Sequence, residues 1–318
     1  MSVSPESTDR APAVFAGSAA YPTSGPGPVV SIGNFDGVHL GHRWLLDKVV
    51  DRARALGVPS CIYTFDPPPR VVLAPSLVRP RIVAWPERVR LLGEAGIDQV
   101  VVERFTRAFA QHPPSWFVDE ILGRRLRPSA MVVGYDFRFG RARAGDLALI
   151  RSRLPDLPIE QVDAHDVDGV VSSSRIRDLV EAGDMRTARR LLGRPHRIHG
   201  TVVPGDKRGR TIGFPTANLE SAAELVPPAG VYAVRARVDG GPWRDAVANL
   251  GVRPTFDKDG FSIEVHVLDF RGDIYGAQVE VEFLARLRSE QRFADILALQ
   301  AQIRRDIEHA RACLTEPA

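Results

Sequence analysis

The hydrophobic period of this chain changes near Gly193, and the two patterns demand different layer architectures. From Val29 to about Arg190, short apolar runs alternate with amphipathic segments. Strands are expected at residues 29–32, 61–65, 99–102, 130–134 and 159–162, and helices at 43–56, 87–95 and 115–122. This alternation predicts a doubly wound α/β domain whose ligands sit beyond the carboxyl ends of a parallel sheet. After Gly193, apolar and polar residues alternate at 198–203, 231–238, 245–250, 261–270 and 279–284, separated by Gly/Pro turns. That period predicts a compact β-barrel. Ile296, Leu299, Ile303 and Ile307 then fall at helical spacing, so residues 293–313 should form a helix packed on it.

The break near residues 183–194 gives domains of 29–186 and 187–318. Residues 1–28 are rich in Ser, Pro, Ala and Gly without a long apolar run, which predicts a disordered leader and neither a secretory segment nor a membrane span. The only cysteines, Cys61 and Cys313, lie far apart, so inert thiols in a cytoplasmic setting are expected. The net charge is +3, basic side chains are dispersed, and only 7% of residues are aromatic. A nucleic-acid reader needs basic residues interleaved with exposed aromatics, so no nucleic-acid partner is expected. A homo-oligomer is compatible with the sequence.

The stretch "GNFDGVHLGH", residues 33–42, joins the first expected strand to the first expected helix. A strand, a Gly-containing turn and a helix start aim backbone N–H groups and the positive dipole end at an anion. Neither G-x-G-x-x-G nor G-x-x-x-x-G-K-[ST] occurs, so His39 and His42 would supply what a P-loop lysine supplies elsewhere. A zinc site is disfavoured because no second ligand cluster accompanies the pair. A capping or packing role for the histidines stays open on the motif alone. Further on, "SSSRIR", residues 172–177, offers serines as helix caps, with Arg175 and Arg177 in the first helical turn. Cations are disfavoured there unless an anion is shared, although a solvated arginine pair is the alternative.

Together with "SIGNFDGVHLGH", "TFDPPPRVVL" and "VGYDFRFGRARAGD", these two motifs resemble the HxGH nucleotidyltransferases, and within them the bacterial bifunctional riboflavin kinase/FAD synthetases. The resemblance runs from Val29 almost to the last residue. It implies a Rossmann-like domain that moves AMP from ATP onto FMN, with His39 and His42 donating to phosphates as charge develops. It further implies that Ser174 and Arg175 hold the outer phosphates of ATP, and that Asn34, Asp66 and Asp136 are ligand contacts in loops at strand ends. Where relatives commonly read Asp-Pro-His-Pro, this chain has Asp66, Pro67, Pro68 and Pro69; a kinase with a weak or altered adenylyltransferase half is therefore the alternative.

In the second half, "GDKRGRTIGFPTANLE", residues 205–220, ends in Thr216 and Asn218, which an extended chain projects to one side. Their oxygens suit Mg²⁺ held jointly with phosphates, while a turn satisfied by Thr and Asn is the simpler reading of the motif alone. In "FSIEVHVLDF", residues 261–270, Glu264 alternates away from Ile263, Val265 and Val267, as a solvated strand glutamate also would. With "GVYAV", "NLGVRPTF" and "LRSEQRF", these segments resemble the riboflavin kinase module. The resemblance makes Glu264 the base that takes the riboflavin 5′-hydroxyl proton, and Thr216 and Asn218 the Mg²⁺ ligands. Gly205, Gly209, Gly213 and Phe214 then surround the nucleotide. The implied small molecules are riboflavin, FMN, FAD and the co-substrate ATP.

Overall fold

The computed structural model describes residues 11–205, 209, 212–252 and 261–315. It divides into two compact units, Met1–Arg79 with Trp85–Ser172, and Pro80–Ala84 with Ser173–Ala318.

The first unit holds a parallel sheet of β1 Ala13–Phe15, β2 Val29–Ile32, β3 Ser60–Asp66, β4 Gln99–Arg104, β5 Ala130–Gly134 and β6 Ile159–Val162. Its spatial order is β1-β4-β3-β2-β5-β6. The helices are α1 Leu40–Leu56, α2 Pro69–Leu73, α3 Trp85–Glu94, α4 Arg107–Ala110, α5 Pro114–Trp116 and α6 Leu147–Arg153, with a π-helical stretch Phe117–Leu126 after α5. Central strands read as unbroken apolar runs because helices cover both faces: Val29, Val30, Met131, Val132 and Val133 are fully buried. Winding proceeds from β2 outward to β3 and β4, then restarts on the other side of β2 at β5. The switch point between β2 and β5 is where such sheets bind ligands.

Two expectations are corrected here. Residues 11–28 are not a disordered leader: β1 pairs with β4 through Ala13–Gln99, Val14–Val100 and Phe15–Val101. Ser18 Oγ donates to Glu103 at 2.5 Å and Tyr21 Oη to Gln99 at 2.6 Å, so short apolar and polar anchors order a segment whose composition suggested otherwise. Helix α1 begins at Leu40 rather than at residue 43, because His39 acts as its N-cap in place of the usual Ser, Thr or Asp.

The second unit comprises α7 Ser173–Ala182, α8 Met185–Leu192, six strands and α9 Ile296–Thr315. The strands are β7 His196–Val203, β8 Ala217–Glu220, β9 Gly230–Val238, β10 Arg244–Val252, β11 Phe261–Val267 and β12 Gln278–Arg288. They close in the order β10-β11-β8-β7-β12-β9, every pair antiparallel. Gly183, at φ 80°, turns α7 tightly into α8, and a Cβ there would meet Arg286 Cδ of β12 at 2.9 Å, which leaves both helices with the barrel.

Ile198, Val234, Val265, Val281 and Phe283 fill the barrel interior, while Val231, Val247, Leu284 and Ala285 face outward and pack with Ala310 and Leu314 of α9. Strand β12 carries register shifts against β9 between Phe283 and Ala285 and between Arg286 and Arg288. Among the described residues no helix is long and apolar enough to cross a membrane.

Candidate functional site

The loop after β2 is under backbone strain. Phe35 (φ 49°), Gly37 (φ 86°) and Val38 (φ 40°) are all left-handed, an unfavourable state for a β-branched valine. The strain persists because the loop is held from several sides. Val38 N–H donates to the Phe35 carbonyl at 3.2 Å, and the fully buried Arg88 of α3 donates Nη1 to the Asn34 carbonyl at 2.9 Å.

This loop delivers His39 to the start of α1. Its Nδ1 accepts the His42 backbone N–H at 3.2 Å, so a neutral His39 carries its proton on Nε2 and is a donor there. The rings of His39 and His42 stack with centroids 3.6 Å apart and planes 15° from parallel. Gly41 makes that stack fit, since a Cβ would sit 3.3 Å from the His39 ring and 3.1 Å from the Val171 carbonyl. The capping role and a donor role therefore coexist in one side chain. Asn34 follows β2, Asp66 ends β3 opposite Arg104 of β4, and Asp136 follows β5; all three are exposed at the carboxyl side of the sheet. Asn34 and Asp136 thus flank the switch point. Sequence reasoning overlooked Arg88, whose signal was a charged residue on the apolar face of an amphipathic helix.

In the second unit, Ser174 and Arg175 lie in the first turn of α7, whose buried face is Ile176 and Val180. The barrel brings its predicted residues together directly. Asn218 of β8 is the register partner of Glu264 on β11, and Thr216 Oγ1 donates to Glu264 Oε2 at 3.3 Å. His266 grips the Pro215 carbonyl through Nδ1 at 2.7 Å, which sets the approach of Thr216. Gly205 lies so close to Asn218 that a Cβ would be 2.1 Å from its amide nitrogen, a close backbone approach that only glycine permits. Gly213, at φ 87°, completes a turn in which the Phe214 N–H donates to the Gly209 carbonyl at 2.8 Å. The basic residues Lys207, Arg208 and Arg210 of that loop lie outside the described residues.

Beside Glu264 opens a cavity of about 410 Å³ between the barrel and α9. Val231, Val247, Leu299, Ile303 and Ile307 give it apolar walls, and Glu264 stands at its polar end with Thr216. Arg288 and Asp306 hold the α9 wall in place through a bidentate pair at 3.0 and 2.7 Å; Gln302 adds a hydrogen bond to Asp306 at 2.8 Å. Gln300 ties the same helix to the Ile212 carbonyl at 3.1 Å, within the turn that precedes Thr216. Asn249 of β10 is the other register partner of Glu264 and lines the same cavity. Sequence reading passed over it, although it stands in the segment "NLGVRPTF".

Comparison with known proteins matches the two halves of the chain to two different family models. A family model described as FAD synthetase matches residues 22–175, and one described as riboflavin kinase matches residues 192–314. A bifunctional riboflavin kinase/FMN adenylyltransferase of Pseudomonas fluorescens is 41% identical over 290 residues, which cover 90% of this chain and 93% of that protein. The protein of the same description from Haemophilus influenzae is 37% identical over 90% of this chain and 94% of its own. Among solved structures, that of a macrolide-efflux protein from Streptococcus pneumoniae has a TM-score of 0.86 and 31% identity, covering 95% of this chain and 99% of that one.

Proposed function

This chain belongs to the family of bifunctional riboflavin kinase/FMN adenylyltransferases, and on that premise we propose how its residues divide the work. The enzyme phosphorylates riboflavin to FMN with ATP and then transfers AMP from a second ATP to FMN, giving FAD and pyrophosphate. The adenylyltransferase is assigned to residues 29–186 and the kinase to 187–318.

For the kinase, riboflavin lies in the cavity beside α9 with its ring against the apolar walls and its 5′-hydroxyl at Glu264. The carboxylate takes the hydroxyl proton as the oxygen attacks the γ-phosphorus and the bond to the ADP oxygen breaks. Thr216 and Asn218 fit Mg²⁺ because both offer neutral hard oxygens beside Glu264, Thr216 just before β8 and Asn218 within it. The ion would neutralise phosphate charge there. Gly205, Gly209, Gly213 and Phe214 surround the nucleotide, their glycines letting backbone approach closely.

For adenylyl transfer, an FMN phosphate oxygen attacks the α-phosphorus and pyrophosphate leaves. His39 and His42, at the N-terminus of α1, donate to the phosphate oxygens as charge builds on them. Asn34, Asp66 and Asp136 are proposed as ligand contacts, and Ser174 and Arg175 as contacts of the outer phosphates. A cytoplasmic setting fits the two free cysteines, of which Cys61 is fully buried with its pKa pushed up to about 12 by desolvation.

The observation that most strongly supports this reading is the meeting of Thr216, Asn218 and Glu264, two of which line the polar end of the cavity beside α9. The test is purified protein with riboflavin, ATP and Mg²⁺, its products resolved by chromatography over time. FMN should rise first and FAD follow. FMN that never becomes FAD would remove the adenylyltransferase assignment; absence of FMN would remove the kinase assignment.

A further inference from the structure

Antiparallel register sets four side chains in one row across the barrel: Val231 on β9, Asn249 on β10, Glu264 on β11 and Asn218 on β8. Residues directly opposite in register point to the same face of a sheet, and neighbouring strands are about 4.8 Å apart. Val231 and Glu264 therefore stand about 10 Å apart, with Asn249 midway. Three members of the row line the cavity under α9. Its polarity changes along the row, from an apolar end at Val231 to a carboxylate at Glu264.

On the side away from Glu264 the carboxamide of Asn249 has apolar neighbours, although Arg288 and Asp306 also line the cavity. Val247 precedes it by two residues, and Leu299, Ile303 and Ile307 of α9 line the same space. Asparagine is disfavoured in strands, and polar atoms facing a slot are found bonded in native proteins. Among the described residues, the Asn249 side chain makes no hydrogen bond to another protein group. Half-buried at the edge of the cavity, it is open to a partner from what occupies the slot.

We propose that Asn249 is a specificity-determining contact of the kinase site, hydrogen-bonding the internal hydroxyls of the ribityl chain and so selecting a flavin that carries a polyol. The inference rests on the placement of riboflavin in this slot. A substrate lying along the row has its ring at Val231, its terminal hydroxyl at Glu264 and its internal hydroxyls beside Asn249. A carboxamide suits that middle position, since it donates and accepts, as each hydroxyl does. Leucine of similar size would leave those hydroxyls unbonded inside the slot, and a site built to bond a hydroxyl discriminates far more sharply than an apolar one.

The experiment compares two substrates in wild type and in Asn249→Leu: riboflavin, and an isoalloxazine whose N10 chain is a 5-hydroxypentyl group with the terminal hydroxyl alone. With riboflavin, kcat/KM should fall about tenfold, mainly through KM for the flavin, while KM for ATP stays within twofold. With the hydroxypentyl flavin, wild type and variant should match. Equal losses on both substrates, or no loss on riboflavin, would overturn the proposal. A thermal unfolding transition matching wild type reports that the variant barrel is intact; if Asn249→Leu fails that check, Asn249→Ser takes its place and should lose less than the leucine variant on riboflavin alone. Glu264→Gln is assayed alongside, because riboflavin phosphorylation surviving in that variant would sink the placement of the substrate itself rather than the role of Asn249.

Discussion

The barrel and the parallel sheet assemble their reactive groups by opposite means. In the barrel, Asn218, Glu264 and Asn249 are neighbours because strand register makes them so, with backbone ladders on both sides holding each in place, and Thr216 joins them just before β8 by a hydrogen bond to Glu264. In the parallel sheet, Asn34, Asp66 and Asp136 stand at the ends of three separate strands, while the two histidines depend on a loop with three left-handed residues, a capping bond and a ring stack. A sheet face supplies rigidity from secondary structure already present. A strand-to-helix loop has to build its rigidity from buried anchors such as Arg88. The barrel site should therefore respond to changes of functional groups, and the loop site also to changes of space.

Glu264→Gln gives the largest separation of the two regions. FMN formation should fall by about 10²-fold or more, the range for loss of a general base, with conversion of supplied FMN to FAD within twofold of wild type. His42→Ala should produce the mirror image, about 10²-fold less FAD from FMN with riboflavin phosphorylation retained. A folded variant that loses both activities would break the comparison.

A third measurement addresses stability in the barrel. His196 of β7 is buried, its Nε2 bonded to the Leu225 carbonyl at 3.0 Å, and desolvation lowers its pKa from 6.5 to about 4. The unfolded chain therefore takes up this proton first as pH drops. The stabilisation is fully present above pH 6.5 and lost between about pH 6.5 and 4, about 3 kcal/mol in all. Hydrogen exchange in β7 and β9 should lose protection over that window in wild type, and much less in His196→Gln. Gly41→Ala is the smallest change and the sharpest test of spatial sensitivity. The new methyl presses on the His39 ring, so FAD formation should drop about tenfold with FMN formation untouched.

Much of this fold was legible because burial leaves a period. The runs at 130–134 and 159–162 match β5 and β6, and the change of period at Gly193 falls just before β7. Strand β1 escaped because three residues at a sheet edge have no period to read, and its order comes from partners some 80 residues away. The start of α1 was misplaced since a histidine cap carries no recognised signal. At the sites, residue types could be read but their meeting could not. The alternation around Glu264 shows which way it points, whereas its adjacency to Asn218 and Asn249 is a matter of register between distant strands. For the same reason Asn249 looked like any strand residue, and Arg88 like any helix charge.

The irregularities in β12 give the kinase slot a vulnerability that no catalytic residue displays. Where one strand gains a residue on its partner, the side chains beyond it exchange faces. Losing a single residue from the stretch between Phe283 and Arg288 would turn the arginine that fastens Asp306 away from the last helix and leave that acid buried without its cation. A frame-preserving deletion far from any reacting atom would in this way unseat the proposed flavin wall while the remaining ladder stayed paired.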